Sequence, residues 1–263
     1  MNNEEKILQL VKEENPDNPL TYVENIVKDL CIEKVNNYIL NCNKCDKICN
    51  CNKTITYGNS NACVLIIGES GSLNQQIKDF NFPSDDLPFD DINNQMPFAN
   101  EAGDILFKVL DQLNINKEEL FFINSINCFP YRLGKDNEKI KRAPTVTERN
   151  NCKLYLDYVL KVVQPLLIIC LGSVATNDIN EEIGKHNISQ IRGEYFNYRG
   201  IKVMPTFNPQ YFIELSKLNK IDEDTINTLK WNFYYDIQKA FIDLQKEYPD
   251  INIINNYEEE EDE

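Results

Sequence analysis

Hydrophobic and polar positions alternate with two different periods along the chain, and this predicts strands interleaved with helices. Short apolar runs bounded by polar residues predict four strands, at 62–67, 120–124, 166–171 and 201–207. Longer segments with apolar residues every three or four positions predict helices at 102–113, 148–163 and 222–248. This alternation favours an α/β fold, in which a parallel sheet is covered by helices.

Polar residues or glycines follow each predicted strand. They are Gly68-Glu69, Asn124, Gly172 and Asn208, the last within the stretch Phe207-Asn208-Pro209. The carboxyl ends of parallel strands meet at one edge of a sheet, where open α/β folds bind their ligands. Position alone would equally allow each of these residues to be an ordinary turn residue.

The segments outside this alternation set the predicted domain boundaries. Residues 1–41 are predicted to form an N-terminal helical extension of two helical pieces, split by a segment with two prolines. Residues 42–248 form the main domain, and within it the polar, proline-containing segment 72–96 predicts a surface loop. Residues 249–263 predict a disordered acidic tail, because the last six residues are all Asp or Glu.

Composition and charge narrow the class of protein. With 42% hydrophobic and 26% charged residues the chain resembles a soluble globular protein. It has no long apolar run and an acidic N-terminus, so we expect no membrane association and a cytoplasmic location. The net charge of −15 argues against a general nucleic-acid binder. Residues 128–200, however, contain eleven Lys or Arg and eight Asp or Glu, a local excess that permits contact with DNA.

Nine cysteines in an intracellular chain favour reduced thiols or metal ligands over disulfides. Cys42 and Cys45 form a C-x-x-C pair, which places two thiolates on one turn as zinc or an iron–sulfur cluster requires. Cys128 and Cys152 could complete such a site, although ordinary reduced cysteines fit the spacing equally well. The other cysteines are expected in apolar strands (Cys63, Cys170), on a helix (Cys31) or as substitute or supplementary ligands (Cys49, Cys51).

Seven short motifs follow one another without overlap between residues 42 and 212. They are CNKC (42–45), YGNSNACVLIIGES (57–70), PFANEAGDIL (97–106), FFINSINCFPYR (121–132), NNCKLYL (150–156), PLLIICLGSVA (165–175) and IRGEYFNYRGIKVMPTFNPQYF (191–212). In this order the motifs resemble those of the iron–sulfur uracil-DNA glycosylases, usually called family 4. The resemblance implies a three-layer α/β/α fold with a central, mainly parallel four-stranded sheet.

The resemblance also implies a function in DNA repair. A monofunctional enzyme of this kind hydrolyses the N-glycosidic bond of uracil in DNA and leaves an abasic site. Glu69 matches the acid that positions water or stabilises the cationic sugar, Phe98 the aromatic residue that stacks on the flipped base, and Asn124 the amide that reads the uracil edge. Gly68 would belong to the same base-binding site.

Two further sets of residues follow from the same resemblance. Cys42, Cys45, Cys128 and Cys152 would hold a [4Fe–4S] cluster, with zinc in the same thiolates as the competing interpretation. Arg192 and Gly193 would press on the DNA backbone. We expect a monomer whose partner is uracil-containing DNA, with residues 1–41 available to a protein partner.

The sequence departs from the family pattern at the end of the fourth strand. Asn208-Pro209 stands where the family carries His-Pro, and that histidine donates to the uracil carbonyl as negative charge develops there. Gly68-Glu69-Ser70-Gly71 also lacks the usual proline. Losing one such donor slows a reaction by about 10²–10³-fold, so we expect slow excision or an altered base preference. The alternative is a weakened homologue that acts as a DNA- or protein-binding module.

Overall fold

The computed structural model describes residues 19–45, 48, 51, 53–71, 95–180, 187–218 and 221–256. Predictions for the first eighteen residues, for Cys49, for most of the loop 72–96 and for the chain from residue 257 onwards lie outside this part. The described residues form a three-layer α/β/α fold around a central, mainly parallel sheet, as predicted. None of the described helices is long and apolar enough to cross a membrane.

Numbered along the chain, the described strands are β1 Tyr57–Gly58, β2 Val64–Ser70, β3 Leu120–Ile126, β4 Tyr131–Leu133, β5 Lys139–Lys141, β6 Leu167–Leu171, β7 Phe196–Tyr198 and β8 Ile201–Thr206. Six of them form the central sheet, in the order β1-β3-β2-β6-β8-β7. Its four inner strands are parallel and coincide with the four predicted strands, while short antiparallel strands extend both edges. The four-strand prediction missed these edge strands and the separate β4–β5 hairpin, because two or three residues show no periodicity.

Helices cover both faces of this sheet. The described helices are α1 Pro19–Leu40, α2 Glu101–Gln112, α3 Val146–Val163, α4 Gly172–Ile179, α5 Ile188–Ile191, α6 Pro209–Leu218 and α7 Glu223–Glu247. One face of the sheet packs against α1, α3 and α4, and the other against α2, α6 and α7. The three predicted helices correspond to α2, α3 and α7.

Strand β2 is continuously apolar because both of its faces are buried. Leu65 and Ile67 point into the core beneath α1 and α3, whereas Val64 and Ile66 point into the core beneath α2 and α7. All four side chains are fully buried. A strand covered by helices on both faces needs apolar residues at every position.

The N-terminal extension is helical where it is described. Helix α1 packs on the domain through Ile32, Val35 and Ile39. Ile26 and Leu30, which follow the same helical spacing in the sequence, are instead 39% and 57% exposed. Periodicity therefore predicted the helix but not the face that it buries.

The domain continues beyond the boundary predicted at residue 248. Gln245 is 6% exposed, and its side chain accepts hydrogen bonds from the backbone N–H groups of Ile253 and Ile254, each at 3.0 Å. Ile254 pairs in turn with Ile115, in the loop before β3. Residues 249–256 thus belong to the packed domain, and the acidic segment begins only after them.

Candidate functional site

Four residues singled out by sequence lie together at the end of the sheet where the parallel strands have their carboxyl ends, which we call the carboxyl edge. Glu69, Phe98, Asn124 and Asn208 line one pocket of about 210 Å³. We call it the base-sized pocket. Glu69 and Asn208 also line a neighbouring cleft of about 540 Å³ that runs along α4, α5 and α6.

Gly68 makes the pocket possible through its lack of a side chain. It pairs in register with Asn124 on the adjacent strand β3. A Cβ atom on Gly68 would lie 2.3 Å from Asn124 Oδ1 and 2.7 Å from Phe98 Cζ, far inside van der Waals contact. The aromatic ring and the amide can meet over this strand only because Gly68 stands there.

The backbone of Phe98 is held in an uncommon conformation. Its φ angle is +64°, in the left-handed region that costs a residue other than glycine about 1–3 kcal/mol. This conformation brings the Phe98 backbone against Gly103 in α2. A Cβ atom on Gly103 would lie 1.6 Å from Phe98 O, so only glycine fits there. The ring also packs edge-on against Phe122, with centroids 5.9 Å apart. Phe98 is therefore fixed as one wall of the pocket before any ligand arrives.

Asn124 presents a buried but unused amide. The residue is 3% exposed, and within the described part of the chain its side chain makes no hydrogen bond. A buried amide normally finds partners, since leaving it unpaired costs free energy. Its carbonyl and NH₂ groups are thus available to a ligand that offers both a donor and an acceptor.

The orientation of Asn208 is set by the start of helix α6. Asn208 Oδ1 accepts a hydrogen bond from the Gln210 backbone N–H at 3.0 Å. Since the oxygen is engaged, the NH₂ group is the part left to interact with a ligand in the pocket that Asn208 lines. Gly172 (φ +87°) allows this close approach, because its Cβ would lie 3.0 Å from Asn208 Cβ. Asn208 therefore offers a hydrogen-bond donor.

Glu69 has a cationic neighbour that sequence reasoning did not identify. Lys141 Nζ, at the end of the β4–β5 hairpin, lies 3.9 Å from Glu69 Oε1. The side chains of Glu69 and Lys141 are 23% and 36% exposed, respectively. Lys141 lines both the base-sized pocket and the larger cleft. The only hint in the sequence was the local excess of Lys and Arg after Cys128.

Arg192 and Gly193 lie apart from the base-sized pocket. The Arg192 guanidinium donates from Nε to Asp236 Oδ2 at 2.7 Å and from a terminal nitrogen to Oδ1 of the same carboxylate. Asp236 is buried and also accepts a 2.6 Å hydrogen bond from Thr206. The predicted contact of Arg192 and Gly193 with DNA stays a prediction. In the structure this guanidinium ties the end of α5 to α7, while the Thr206 hydrogen bond to Asp236 joins α7 to the sheet.

Three of the four predicted cluster ligands, Cys45, Cys128 and Cys152, lie together beyond the carboxyl end of β3, whereas Cys42 packs against the core beneath α1 and α3. Cys128 and Cys152 are 7% and 5% exposed and form a small apolar core together with Ile48. Cys45 packs against this core. Burial raises the pKa of the Cys152 thiol to about 12, and Cys45 and Cys42 add to this effect.

A fifth cysteine joins this group. Cys51 packs against the same core, and its sulfur accepts a hydrogen bond from the Phe129 backbone N–H at 3.1 Å. A hydrogen bond with the Cys128 thiol holds the pKa of Cys51 below its usual value, at about 6. The same bond, together with burial, raises the pKa of Cys128. Sequence reasoning left Cys51 open as a substitute ligand, and its position fits that role.

The chemistry of these donors fits an iron–sulfur cluster. They are thiols in an apolar setting, and N–H groups point at their sulfurs, as from Asn151 Nδ2 to Cys45 Sγ at 3.3 Å. Such hydrogen bonds to sulfur are typical of cluster ligands. Among the residues that the structure describes, no three His, Cys, Asp or Glu side chains are already arranged to hold a metal ion.

The chain belongs to the uracil DNA glycosylase superfamily, whose family model matches residues 55–230. The match spans every strand of the central sheet but neither α1 nor most of α7, and it includes Glu69, Phe98, Asn124 and Asn208.

Individual relatives agree with this assignment. The chain is 28% identical over 152 residues to the Type-4 uracil-DNA glycosylase of Thermotoga maritima, a match that covers 57% of this chain and 70% of the relative. It is 23% identical over 208 residues to that of Sulfurisphaera tokodaii, covering 76% and 83%. For the Archaeoglobus fulgidus protein the identity is 25% over 182 residues, covering 65% and 77%.

Replacing Gly68 with alanine tests the geometry of the pocket. The new methyl group cannot fit between Asn124 Oδ1 and Phe98 Cζ, so one of these side chains must leave its place. We expect binding or turnover of uracil-containing DNA to fall by about 10²-fold or more, the effect of losing one well-placed group. Circular dichroism should show that the sheet is retained. Wild-type activity in this folded variant would contradict the assignment of the pocket.

Proposed function

We propose that the protein excises uracil from DNA by hydrolysing the glycosidic bond, without cutting the strand. The observation that carries the proposal is the convergence of Glu69, Phe98, Asn124 and Asn208 on one base-sized pocket at the carboxyl edge of the sheet. Membership of the superfamily and the activity for which the Type-4 relatives are named support it.

Recognition of the base falls to Phe98 and Asn124. The fixed ring of Phe98 offers a flat surface on which a flipped base can stack. The unused Asn124 amide can donate to one uracil carbonyl and accept from the neighbouring N–H. Cytosine presents the opposite pattern at that edge, so the same amide would discriminate against it.

Bond cleavage falls to Glu69 and Asn208. As the bond to C1′ breaks, the sugar becomes cationic and the leaving uracil becomes anionic. The Glu69 carboxylate would stabilise the sugar and orient the attacking water. The Asn208 NH₂ group, whose direction is fixed by the hydrogen bond from Gln210 N–H, would donate to the uracil oxygen that gains charge. These two groups act on opposite ends of the breaking bond.

The cysteines would hold a [4Fe–4S] cluster next to the base-sized pocket, whose lining includes Phe129, the residue after Cys128. Cys42, Cys45, Cys128 and Cys152 would supply the thiolates, with Cys51 as a neighbouring alternative. When bound, the cluster would cross-link the cysteine loop, the end of β3 and α3. None of the groups that act on the base or the sugar depends on its chemistry.

An excision assay on Asn208 variants tests the proposal. Wild-type protein should release free uracil from an oligonucleotide and leave an alkali-labile abasic site. Asn208→Ala removes the donor and should slow release by about 10²–10³-fold. Asn208→His should raise the rate, because an imidazole can accept from Gln210 N–H and still donate from its other nitrogen.

The outcome of this assay separates the proposal from its alternative. If cluster-loaded wild type and Asn208→His both release no uracil from single- or double-stranded DNA, the protein does not excise uracil. Retained, salt-sensitive binding to DNA would then identify it as a binding module.

A further inference from the structure

We propose that Lys141 is the residue that receives a phosphate of the flipped nucleotide, and that this contact releases Glu69 from its ion pair for action on the sugar. The proposal rests on the function proposed above and assigns to it a positioning residue outside the family motifs. It starts from the location of Lys141 on the wall shared by the base-sized pocket and the larger cleft.

The hairpin that carries Lys141 is anchored firmly to the domain. Arg142, the next residue, donates to both oxygens of the Glu148 carboxylate, at 2.8 and 2.6 Å. Glu148 is 7% exposed and forms a capping box with Thr145 at the start of α3. The hydrogen bond with Arg142 holds the pKa of Glu148 below its usual range, so the pair persists at neutral pH.

This anchoring leaves one cation available at the junction. Among the described residues, Lys141 and Arg142 are the two cations that line the cleft. Arg142 is committed to Glu148 through two hydrogen bonds. Within the described part of the chain, Lys141 makes only the 3.9 Å ion pair with Glu69, and both partners are partly exposed to solvent. An ion pair of this kind is weak and is readily exchanged for a stronger partner.

A flipped nucleotide would bring that partner to the same place. When a base enters the pocket, its sugar lies at the pocket mouth and its flanking phosphates lie just outside. Glu69 and Lys141 meet at this boundary, so the sugar would face Glu69 and a phosphate oxygen would face Lys141 Nζ. The phosphate would draw the ammonium group away from the carboxylate. Glu69 would then present its full negative charge to the cationic sugar.

The neighbouring Lys139 provides a matched control. It lies two residues earlier on β5 and therefore on the same face of the hairpin, but it lines neither cavity. Its ammonium group instead lies 4.7 Å from the centre of the Tyr131 ring. Lys139→Met and Lys141→Met remove the same charge from the same strand, and only the second removes it from the pocket mouth.

The test measures binding and cleavage separately. Binding is measured at several salt concentrations with a duplex that carries 2′-fluoro-2′-deoxyuridine, whose glycosidic bond resists hydrolysis, and with a matched undamaged duplex. Lys141→Met should weaken binding to the analogue duplex about tenfold and reduce its salt slope by about one phosphate contact. Lys141→Arg should retain both, and Lys139→Met should resemble wild type. The rate of a single turnover at saturating DNA should change less than threefold in Lys141→Met.

Several results would overturn the inference. Equal loss of binding to both duplexes, or equal loss in the Lys139 variant, would make Lys141 a general surface charge. A large loss of the saturated rate with unchanged binding would place Lys141 on the reacting base or sugar instead. Trapping of Lys141 on an abasic site by borohydride would make it a covalent nucleophile. If wild type releases no uracil but binds the analogue duplex through Lys141, the excision proposal fails while the phosphate contact stands.

Discussion

Substituting glutamine for Glu69 is expected to slow uracil release by about 10²–10³-fold in a single turnover. Glutamine keeps the size and hydrogen-bonding reach of the side chain and removes only its charge. The negative charge matters because the sugar becomes cationic as the bond to uracil breaks. Binding of DNA should persist, because Glu69 repels rather than attracts the phosphate backbone.

Glu214 offers the control for this experiment. It lines the larger cleft but not the base-sized pocket, so Glu214→Gln removes one negative charge nearby and leaves the site itself intact. We expect this variant to release uracil at close to the wild-type rate. Equal rates for Glu69→Gln and wild type would show that the essential anion lies elsewhere.

Removing Cys128 or Cys152 is expected to abolish iron binding and to lower the thermal stability of the protein. Both residues are buried, and the cluster that they would hold joins the loop at 42–51, the end of β3 and helix α3. Since ligands that bind only the folded state add their binding free energy to stability, loss of the cluster should lower the melting temperature. Iron and sulfide per chain, visible absorbance and thermal unfolding measure these effects. Zinc in place of iron would identify the competing metal.

Substitutions at two other cysteines serve as controls that distinguish loss of the cluster from loss of side-chain packing. Cys170 is fully buried in β6, so Cys170→Ala should destabilise the fold through a cavity and leave the iron content unchanged. Cys31 is exposed on α1, and Cys31→Ser should change neither quantity. Full iron content in both the Cys128 and the Cys152 variants would refute this site. Cys51→Ser shows in the same assay whether the fifth thiol takes part.

The sequence predicted the inner sheet well because burial on both faces imposes a strong pattern. Strands β2 and β6 are continuous apolar runs that end in a glycine or a polar residue, and the carboxyl edge of the sheet follows from these ends. The edge strands β1 and β7 contain two and three residues, too few to show a period. The exposed face of α1 was likewise hidden, since spacing alone does not show which side a helix buries.

The candidate site was predicted as a set of residues but not as a set of contacts. Glu69, Phe98, Asn124 and Asn208, which the motifs singled out, line one pocket in the structure, and their roles stay predictions. The motifs gave no sign that Asn208 would be oriented by Gln210, or that Lys141 would reach Glu69 across some seventy positions of sequence. Those contacts depend on the path of the β4–β5 hairpin, whose short strands carry no periodic pattern. Long-range pairings of this kind become visible only when the chain is folded.

The Gln245 side chain holds Ile253 and Ile254 against the domain through two hydrogen bonds. Ile254 pairs with Ile115 in the loop that precedes β3, so the last described residues lie at the amino ends of the parallel strands. The base-sized pocket lies at the carboxyl ends, the full length of the strands away. The net charge of −15 for the whole chain is therefore no measure of the local charge at the pocket mouth, where Lys141 stands beside Glu69.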